Sequence, residues 1–280
     1  MVKISDAINL SDEILKASLP DSRNEAQRLV AFILKKDKLY LSINKNEKFP
    51  PEKLETLKKI SAIRAAGKPF AYITGIKEFM SLEFEVNQDV LIPRPETEEL
   101  VEAIISDFEN SSPDILDLCT GSGAICISLA HYIKNARCTG VDISSKAIDL
   151  AKRNAKKLGL EKKCTFKKAD VLTSYDFGRK FDIVVSNPPY IETCVIESLD
   201  NTVKNYEPRL ALDGGDDGLM FYRTITDNIS HYLKKGGMLY FEIGYNQGEA
   251  LKDIMQEKFA HVKILKDLSG NDRIALGKYI

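Results

Sequence analysis

The sequence predicts a mostly parallel α/β sheet with helices on both faces, preceded by a small helical bundle. Three observations carry this. From residue 113 onward, short apolar runs alternate with helical patterns. In residues 1–75 the apolar residues instead recur at three- and four-residue spacings. The 280 residues are 44% hydrophobic and 29% charged, enough apolar material for a sizeable core. This composition excludes a disordered, collagen-like or fibrous chain.

Taken in order, Ile4, Ala7, Ile8, Ile14 and Leu15 form one helical stripe, and Ala26, Leu29, Val30, Ile33 and Leu34 another. Ser5 and Ser22 are candidate N-caps, Ser22 with Glu25 three residues on as in a capping box. Pro50-Pro51 opens a helix over 52–66 with the stripe Leu54, Leu57, Ile60, Ile63, closed by Gly67 and Pro69. Residues 76–92 alternate apolar and polar, which predicts a strand pair with its turn at Asn87-Gln88-Asp89. Pro93-Arg94-Pro95 leads into a helix over 96–108.

The later strand candidates are 115–119, 138–143, 164–169, 181–186, 238–243, 261–265 and 274–279. Helices are expected at about 123–133, 144–158, 218–234 and 247–258. Only the turn Ser269-Gly270-Asn271 separates the last two strands, so they should pair antiparallel at the sheet's end. The expected domains are 1–75, a helical bundle; 76–92, a β-hairpin linker; and 93–280, the α/β domain.

Charge agrees with two dissimilar parts. Residues 1–75 carry 14 Lys+Arg against 9 Asp+Glu, while the whole chain has a net charge of −1. The chain is therefore no simple polycation, and direct nucleic-acid binding is not expected. No stretch approaches the ~18 apolar residues of a membrane helix, and the N-terminus lacks an apolar signal core, so a cytoplasmic protein without a membrane partner is expected. The five cysteines, Cys119, Cys126, Cys138, Cys164 and Cys194, include no CxxC pair. The three histidines do not pair with them at ligand spacing, so no metal is expected.

Three motifs carry chemistry. In the first, the apolar run Ile115–Leu118 enters Cys119-Thr120-Gly121-Ser122-Gly123 and then a helix. Gly121 and Gly123 let the backbone approach a ligand. Asp142, with Ile143, ends the next strand, where a carboxylate can accept both hydrogen bonds of a ribose diol. The loop is not GxGxxG, so it suits S-adenosylmethionine better than a dinucleotide. A tight βα turn with a buried aspartate is the plainer alternative. In the second, Asp170 ends the third strand of the series, with Val171 beside it. It can face an adenine amino group or be a loop aspartate. In the third, Asn187-Pro188-Pro189-Tyr190 follows the run 181–186. The prolines lack N–H groups and fix φ, so the Pro188 carbonyl can point at a ligand in a set geometry. Asn187 supplies an amide, and Tyr190 a ring and a hydroxyl. This is a pocket for a planar group bearing an NH2.

Asn187-Pro188-Pro189-Tyr190 resembles the motif of amino-group methyltransferases acting on adenine or glutamine nitrogen. The segments 91–98 (LIPRPETE), 185–191 (VSNPPYI), 206–209 (YEPR), 210–219 (LALDGGDDGL), 242–244 (EIG) and 267–273 (DLSGNDR) are similar to those of the release-factor glutamine methyltransferase family. The likeness runs from about Phe70 to the end. It departs at Cys119, where the family usually has glycine, and at Val171, where a tryptophan is frequent.

The resemblance implies a Rossmann-like, seven-stranded class I methyltransferase sheet. It implies S-adenosyl-L-methionine as cofactor and S-adenosyl-L-homocysteine as product, with no metal. Cofactor contacts would come from Cys119, Thr120, Gly121, Ser122, Gly123, Asp142, Ile143, Asp170, Val171 and Asn187. Asn187, Pro188, Pro189 and Tyr190 would bind the substrate, with Asn187, Pro188 and Tyr190 catalytic. The substrate would be the glutamine of the Gly-Gly-Gln loop in peptide chain release factors, methylated on its side-chain nitrogen, with residues 1–75 as the docking platform. An adenine-N6 DNA or RNA methyltransferase shares the Asn-Pro-Pro-Tyr motif and is the nearest alternative. A nicotinamide oxidoreductase would want GxGxxG, and a non-catalytic binding protein would not need Asn187 with Asp142. Arg94, Glu96 and Glu98 either close over the mouth or belong to a helix start. Glu207-Pro208-Arg209 and Asp213–Gly218 are either a lid or a set of turns.

Overall fold

The structure is a computed structural model that describes residues 2–280. The chain divides into two compact units, residues 1–75 and 76–280.

The first unit is helical: α1 (Ile4–Leu15), α2 (Ser22–Leu34), α3 (Lys38–Ile43), α4 (Pro51–Ala65) and α5 (Phe70–Thr74). Their stripes converge, and Ile4, Ala7, Ala26, Leu29, Val30, Phe49 and Leu57 are all buried. The caps differ from expectation. Lys3 precedes α1, and its N–H is taken by the Asp6 carboxylate at 2.9 Å. Ser22 is already the first helical residue of α2, because Asp21 occupies the cap position. The Ser22 hydroxyl donates to Asp12 Oδ1 at 2.6 Å. Glu25 does not reach back to a cap. It is buried and paired with Arg28 and with Arg64, whose Nε lies 2.8 Å from Glu25 Oε2. Two guanidinium groups outcompete one backbone N–H.

The second unit opens with a hairpin, β1 (Ile76–Phe79) and β2 (Leu82–Glu85). Its turn is Met80-Ser81, not Asn87–Asp89. Both turn residues have positive φ, 50° and 55°, the two-residue geometry that suits strand twist. Phe79 and Phe84 pack edge to face and are fully buried. Residues 86–94 leave the sheet, and Asn87–Val90 form an independent turn.

There follow α6 (Pro95–Phe108), β3 (Asp114–Leu118), α7 (Ala124–Tyr132), β4 (Arg137–Asp142), α8 (Ser145–Lys157), β5 (Cys164–Lys168) and β6 (Phe181–Ser186). Next come the short α9 (Asn201–Lys204), α10 (Met220–Asp227), α11 (Ile229–Tyr232), β7 (Leu233–Glu242), α12 (Gly248–Met255), β8 (Phe259–Lys266) and β9 (Asp272–Tyr279). The helix expected over 218–234 breaks at Asn228, and β7 begins where it was to end. Leu233 already pairs with Phe181, and the ladder resumes at Ile183 and Met238 after an excursion through Gly236 and Gly237.

The seven-stranded sheet runs β5-β4-β3-β6-β7-β9-β8. β3, β4, β5, β6 and β7 are parallel; β9 is antiparallel to both β7 and β8. Strand residues alternate between two cores. Ile115, Ile183 and Val185 face α6, α7 and α8. Leu116, Leu118, Val184 and Leu239 face α10, α11 and α12. This two-sided burial explains the unbroken apolar runs. The strand order reverses between β3 and β6, with Leu118 beside Ser186. The Ser186 hydroxyl ties that junction by donating to the Leu118 carbonyl at 2.7 Å.

Gly140 in β4 shows how tightly the loop above is seated. A Cβ there would lie 2.7 Å from the Phe166 ring and 2.7 Å from Thr120 Oγ1. Gly140→Ala is therefore expected to lower unfolding free energy by about 1–3 kcal/mol, read from urea denaturation. An unchanged midpoint would show that Phe166 and Thr120 can yield.

Candidate active site

The C-terminal ends of β3, β4, β5 and β6 open into one cavity of about 300 Å3. This is the crevice that a strand-order reversal creates. Cys119, Thr120, Gly121 and Ser122 form one wall. Asp142 and Ile143 follow from β4, Asp170 and Val171 from β5, and Asn187 and Pro189 from β6. Gly123, Pro188 and Tyr190 are adjacent in chain but do not line it.

The glycine loop is held from below. Thr120 N–H donates to the Val141 carbonyl at 2.9 Å, and Gly121 N–H to Asp142 Oδ2 at 2.9 Å. Gly121 has φ +54°, and a Cβ there would meet nothing within 4 Å. Its backbone is bare toward open space, as a cradle requires. Gly123, at φ +81°, serves packing: a Cβ there would press within 2.9 Å of Ile127. Cys119 has φ +62°, a conformation that glycine adopts more readily. Burial, with Asp142 and Asp117 nearby, pushes its thiol well up, so it is a neutral group.

Asp142 also accepts from Ser144 N–H at 2.9 Å through Oδ1. Burial raises its pKa although these bonds oppose the shift. Asp170 Oδ1 accepts from Leu172 N–H at 2.9 Å, and Val171 is buried against the second core.

Asn187 lies on the cavity, and its amide is held by Thr97, which lines the same cavity. Its Nδ2 is 3.3 Å from Thr97 Oγ1, and Thr97 Oγ1 is 2.6 Å from Glu242 Oε2. The Tyr190 hydroxyl meets the other oxygen, Glu242 Oε1, at 3.4 Å. Thr97 sits in the first turn of α6 but caps nothing; Arg94 holds the cap position without a side-chain cap bond. Arg94 is on the cavity wall and pairs with Glu207 at 2.5 Å. Glu98 accepts from Met80 N–H at 2.8 Å, whereas Glu96 is exposed.

Asp213–Gly218 is packed rather than loose. Asp213 Oδ1 accepts from Thr193 Oγ1 at 2.5 Å and Gly215 N–H at 3.2 Å. A Cβ at Gly214 would meet Tyr190 Cα at 2.7 Å. Gln247 Nε2 donates to the Tyr190 carbonyl at 3.1 Å and the Gly218 carbonyl at 3.3 Å. The segment is a strap against the Asn-Pro-Pro-Tyr loop.

Sequence reasoning assigned no site role to Thr97, Gln88–Leu91 or Leu210, all of which line the cavity, nor to Glu242 or Asp117; Pro208, from the lid candidate, lines it too. Asp117 is fully buried, bonded by Thr120 Oγ1 at 2.5 Å and Cys126 N–H at 3.2 Å. Its Oδ1 has no partner among the described residues. Burial lifts Asp117 and Glu242 each to about 7. Among the described residues no group of three or more His, Cys, Asp and Glu could hold a metal ion.

Residues 6–75 match the PrmC N-terminal domain, and residues 109–274 match a methyltransferase domain. A release factor glutamine methyltransferase of Clostridium acetobutylicum is 40% identical over 279 residues, covering 98% of each chain. The chain belongs to the release factor glutamine methyltransferase family. Another member, from Moorella thermoacetica, is 46% identical over 216 residues, 76% of each chain. Among solved structures, a Pyrococcus furiosus methyltransferase has a TM-score of 0.54 at 17% identity, covering 79% of this chain and 98% of its own. The hMettl16 catalytic domain has a TM-score of 0.57 at 14% identity, covering 79% and 82%. Such likenesses bear on fold alone, and they match the expected Rossmann-like methyltransferase sheet. No helix among the described residues is long and apolar enough to cross a membrane.

The raised carboxylates of this family member set a pH dependence. The folded chain keeps the Glu242 proton to about pH 7, whereas its ordinary value is 4.5. Between these values the folded state binds more protons, so stability falls as pH rises. From pH 5.5 to pH 8 Glu242 should account for about 2 kcal/mol of lost stability. Urea unfolding at both pH values should show a smaller loss in Glu242→Gln than in the wild type. An equal loss would place the titration elsewhere.

Proposed function

We propose that the chain transfers a methyl group from S-adenosylmethionine to the side-chain nitrogen N5 of the glutamine in the Gly-Gly-Gln motif of peptide chain release factors. Family membership supports the reaction and the substrate. The observation that carries the reading is the placement of Asn187 and the glycine loop on one cavity at the strand-order reversal.

The residues present fit the cofactor. The bare Gly121 backbone, with Cys119, Thr120 and Ser122, forms a cradle for its amino-acid tail, and Gly123 packs the turn beneath it. Asp142, next to Ile143, is the ribose acceptor. Asp170 and Val171 suit the amino edge and face of the purine, with Asn187 at the reacting end. When bound, S-adenosylmethionine supplies an electrophilic methyl group.

The chain's task is to hold a poor nucleophile, because an amide lone pair is delocalised into its carbonyl. Asn187 Oδ1 accepts no hydrogen bond from described residues, and the Pro188 carbonyl accepts none from a described backbone N–H. Asn187 Oδ1 can take one N–H of the glutamine NH2, and the Pro188 carbonyl, adjacent to the cavity rather than on its wall, would take the other as the substrate seats. Two acceptors then fix the nitrogen and stabilise the positive charge that develops on it. The product nitrogen loses its extra proton readily, so no strong base is needed. Pro189 shapes the wall. Tyr190, bonded to Glu242 and backed by the glycine strap, braces the loop from behind. The basic helical unit, residues 1–75, is the proposed platform for the release factor. The reading carries a cytoplasmic location with it, since translation termination occurs there.

Transfer of labelled methyl to a purified release factor tests this directly. The wild type should label it, and a release factor with the loop glutamine changed to alanine should stay unlabelled. Label on adenine in DNA or RNA instead would overturn the reading. Asn187→Ala should lose about 100- to 1,000-fold in kcat while binding cofactor nearly normally. Asp142→Ala should do the converse, weakening cofactor binding about 10- to 100-fold, as titration calorimetry would show.

A further inference from the structure

Asn187 can help only if its amide faces the right way. An acceptor toward the substrate NH2 holds it; the flipped amide would set one NH2 against another. The amide is short and otherwise free to rotate, so something must fix it.

Thr97, on the cavity wall beside it, links it to the buried Glu242. Glu242 is 1% exposed, and its Oε2 sits 2.6 Å from Thr97 Oγ1. Thr97 is 4% exposed and 3.3 Å from Asn187 Nδ2. A threonine hydroxyl has one proton. Beside a buried carboxylate that proton goes to the carboxylate, and the hydroxyl can then only accept from Asn187. The group of Asn187 facing it must be the NH2, which leaves Oδ1, without a partner among the described residues, as the acceptor for a substrate. Tyr190 keeps the carboxylate oriented by donating to its other oxygen. Thr97 and Glu242 are 145 residues apart in sequence, yet both are spent on this one alignment.

We propose that Thr97 and Glu242 are positioning residues whose hydrogen-bond relay, carboxylate to hydroxyl to amide, sets the orientation of the Asn187 side chain for methyl transfer. The inference rests on the proposed reaction and adds to it the device that makes Asn187 an acceptor.

The relay has a direction that protonation reverses. A Glu242 carboxylic acid can donate to Thr97, and Thr97 can then donate to Asn187, turning the amide over. Groups facing Glu242 are Thr97 and the exposed Glu96 from α6, Tyr190, Arg273 from β9, and Tyr222 from α10, whose hydroxyl bonds the Glu242 carbonyl at 2.8 Å. Burial outweighs Arg273, and the midpoint lies at about 7.

The experiment measures methyl transfer to a release factor across pH 5.5–9, with cofactor affinity alongside. Thr97→Val, which keeps shape and removes the hydroxyl, should lower kcat about 10- to 100-fold with cofactor affinity unchanged. Thr97→Ser should recover most of the rate. In Asn187→Ala, adding Thr97→Val should cost little more, because both act through one amide. Wild-type kcat should rise with pH through about 7, and Glu242→Gln should lose both the step and about tenfold or more in rate. An active wild type with Thr97→Val at full speed, or losses that multiply in the double variant, would overturn the relay. A wild type that binds cofactor but never labels a release factor would overturn the underlying reaction, and the relay with it.

Discussion

The parallel pairing of β3 with β6 is the contact on which the site depends. These strands are neighbours in space but not in sequence, with β4 and β5 between them in the chain. Their register sets Leu118 beside Ser186, so Cys119 and Asn187 leave the sheet from the same level. The Ser186 hydroxyl fastens the junction. Slip this pair by one residue, and every side chain changes face. The loop would lose Asn187, and the two apolar layers on either side of the sheet would be exchanged. The site is thus as precise as the core packing that fixes the register.

A second constraint is the cost of burial. Asp117 and Glu242 are carboxyl groups out of water. Each is bonded by a threonine hydroxyl, Thr120 and Thr97 respectively, and neither is charge-paired at contact distance. Such groups destabilise a fold unless something compensates. One is bonded to Thr120 of the glycine loop, the other to Thr97, the partner of Asn187. The fold therefore tolerates its least comfortable groups where geometry matters most.

Much of this was legible in the sequence. The alternation of apolar runs and helical stripes determines the sheet, and residues 119–122, Asp142, Asp170 and Asn187 are found on one cavity. What escaped has physical reasons. Ser22 looks like a cap until Asp21 takes the position and Arg64 draws Glu25 away from the helix start. The hairpin turn was hidden because Met80 and Ser81 are not the residues usually seen at positive φ. The break at Asn228 was invisible because apolar residues continue through it into β7. Thr97 and Glu242 carry no local signal of their partnership. Only folding brings α6 to the end of β7, and a lone threonine in a helix start reads as a cap.

The end of the sheet has a bearing on how the protein reaches this state. β9 lies between β7 and β8, so β8 has no strand contact with β7 of its own. The two last strands, joined by the short turn through Gly270, form a local hairpin that must add to β7 as a unit. Until it does, β7 shows a bare, strongly apolar edge, Met238 to Phe241, with unsatisfied backbone groups. An apolar edge of that kind, left uncovered, is a template for pairing with another chain. The lysines at 263 and 266, on what becomes the outer strand, oppose such pairing once the hairpin has docked.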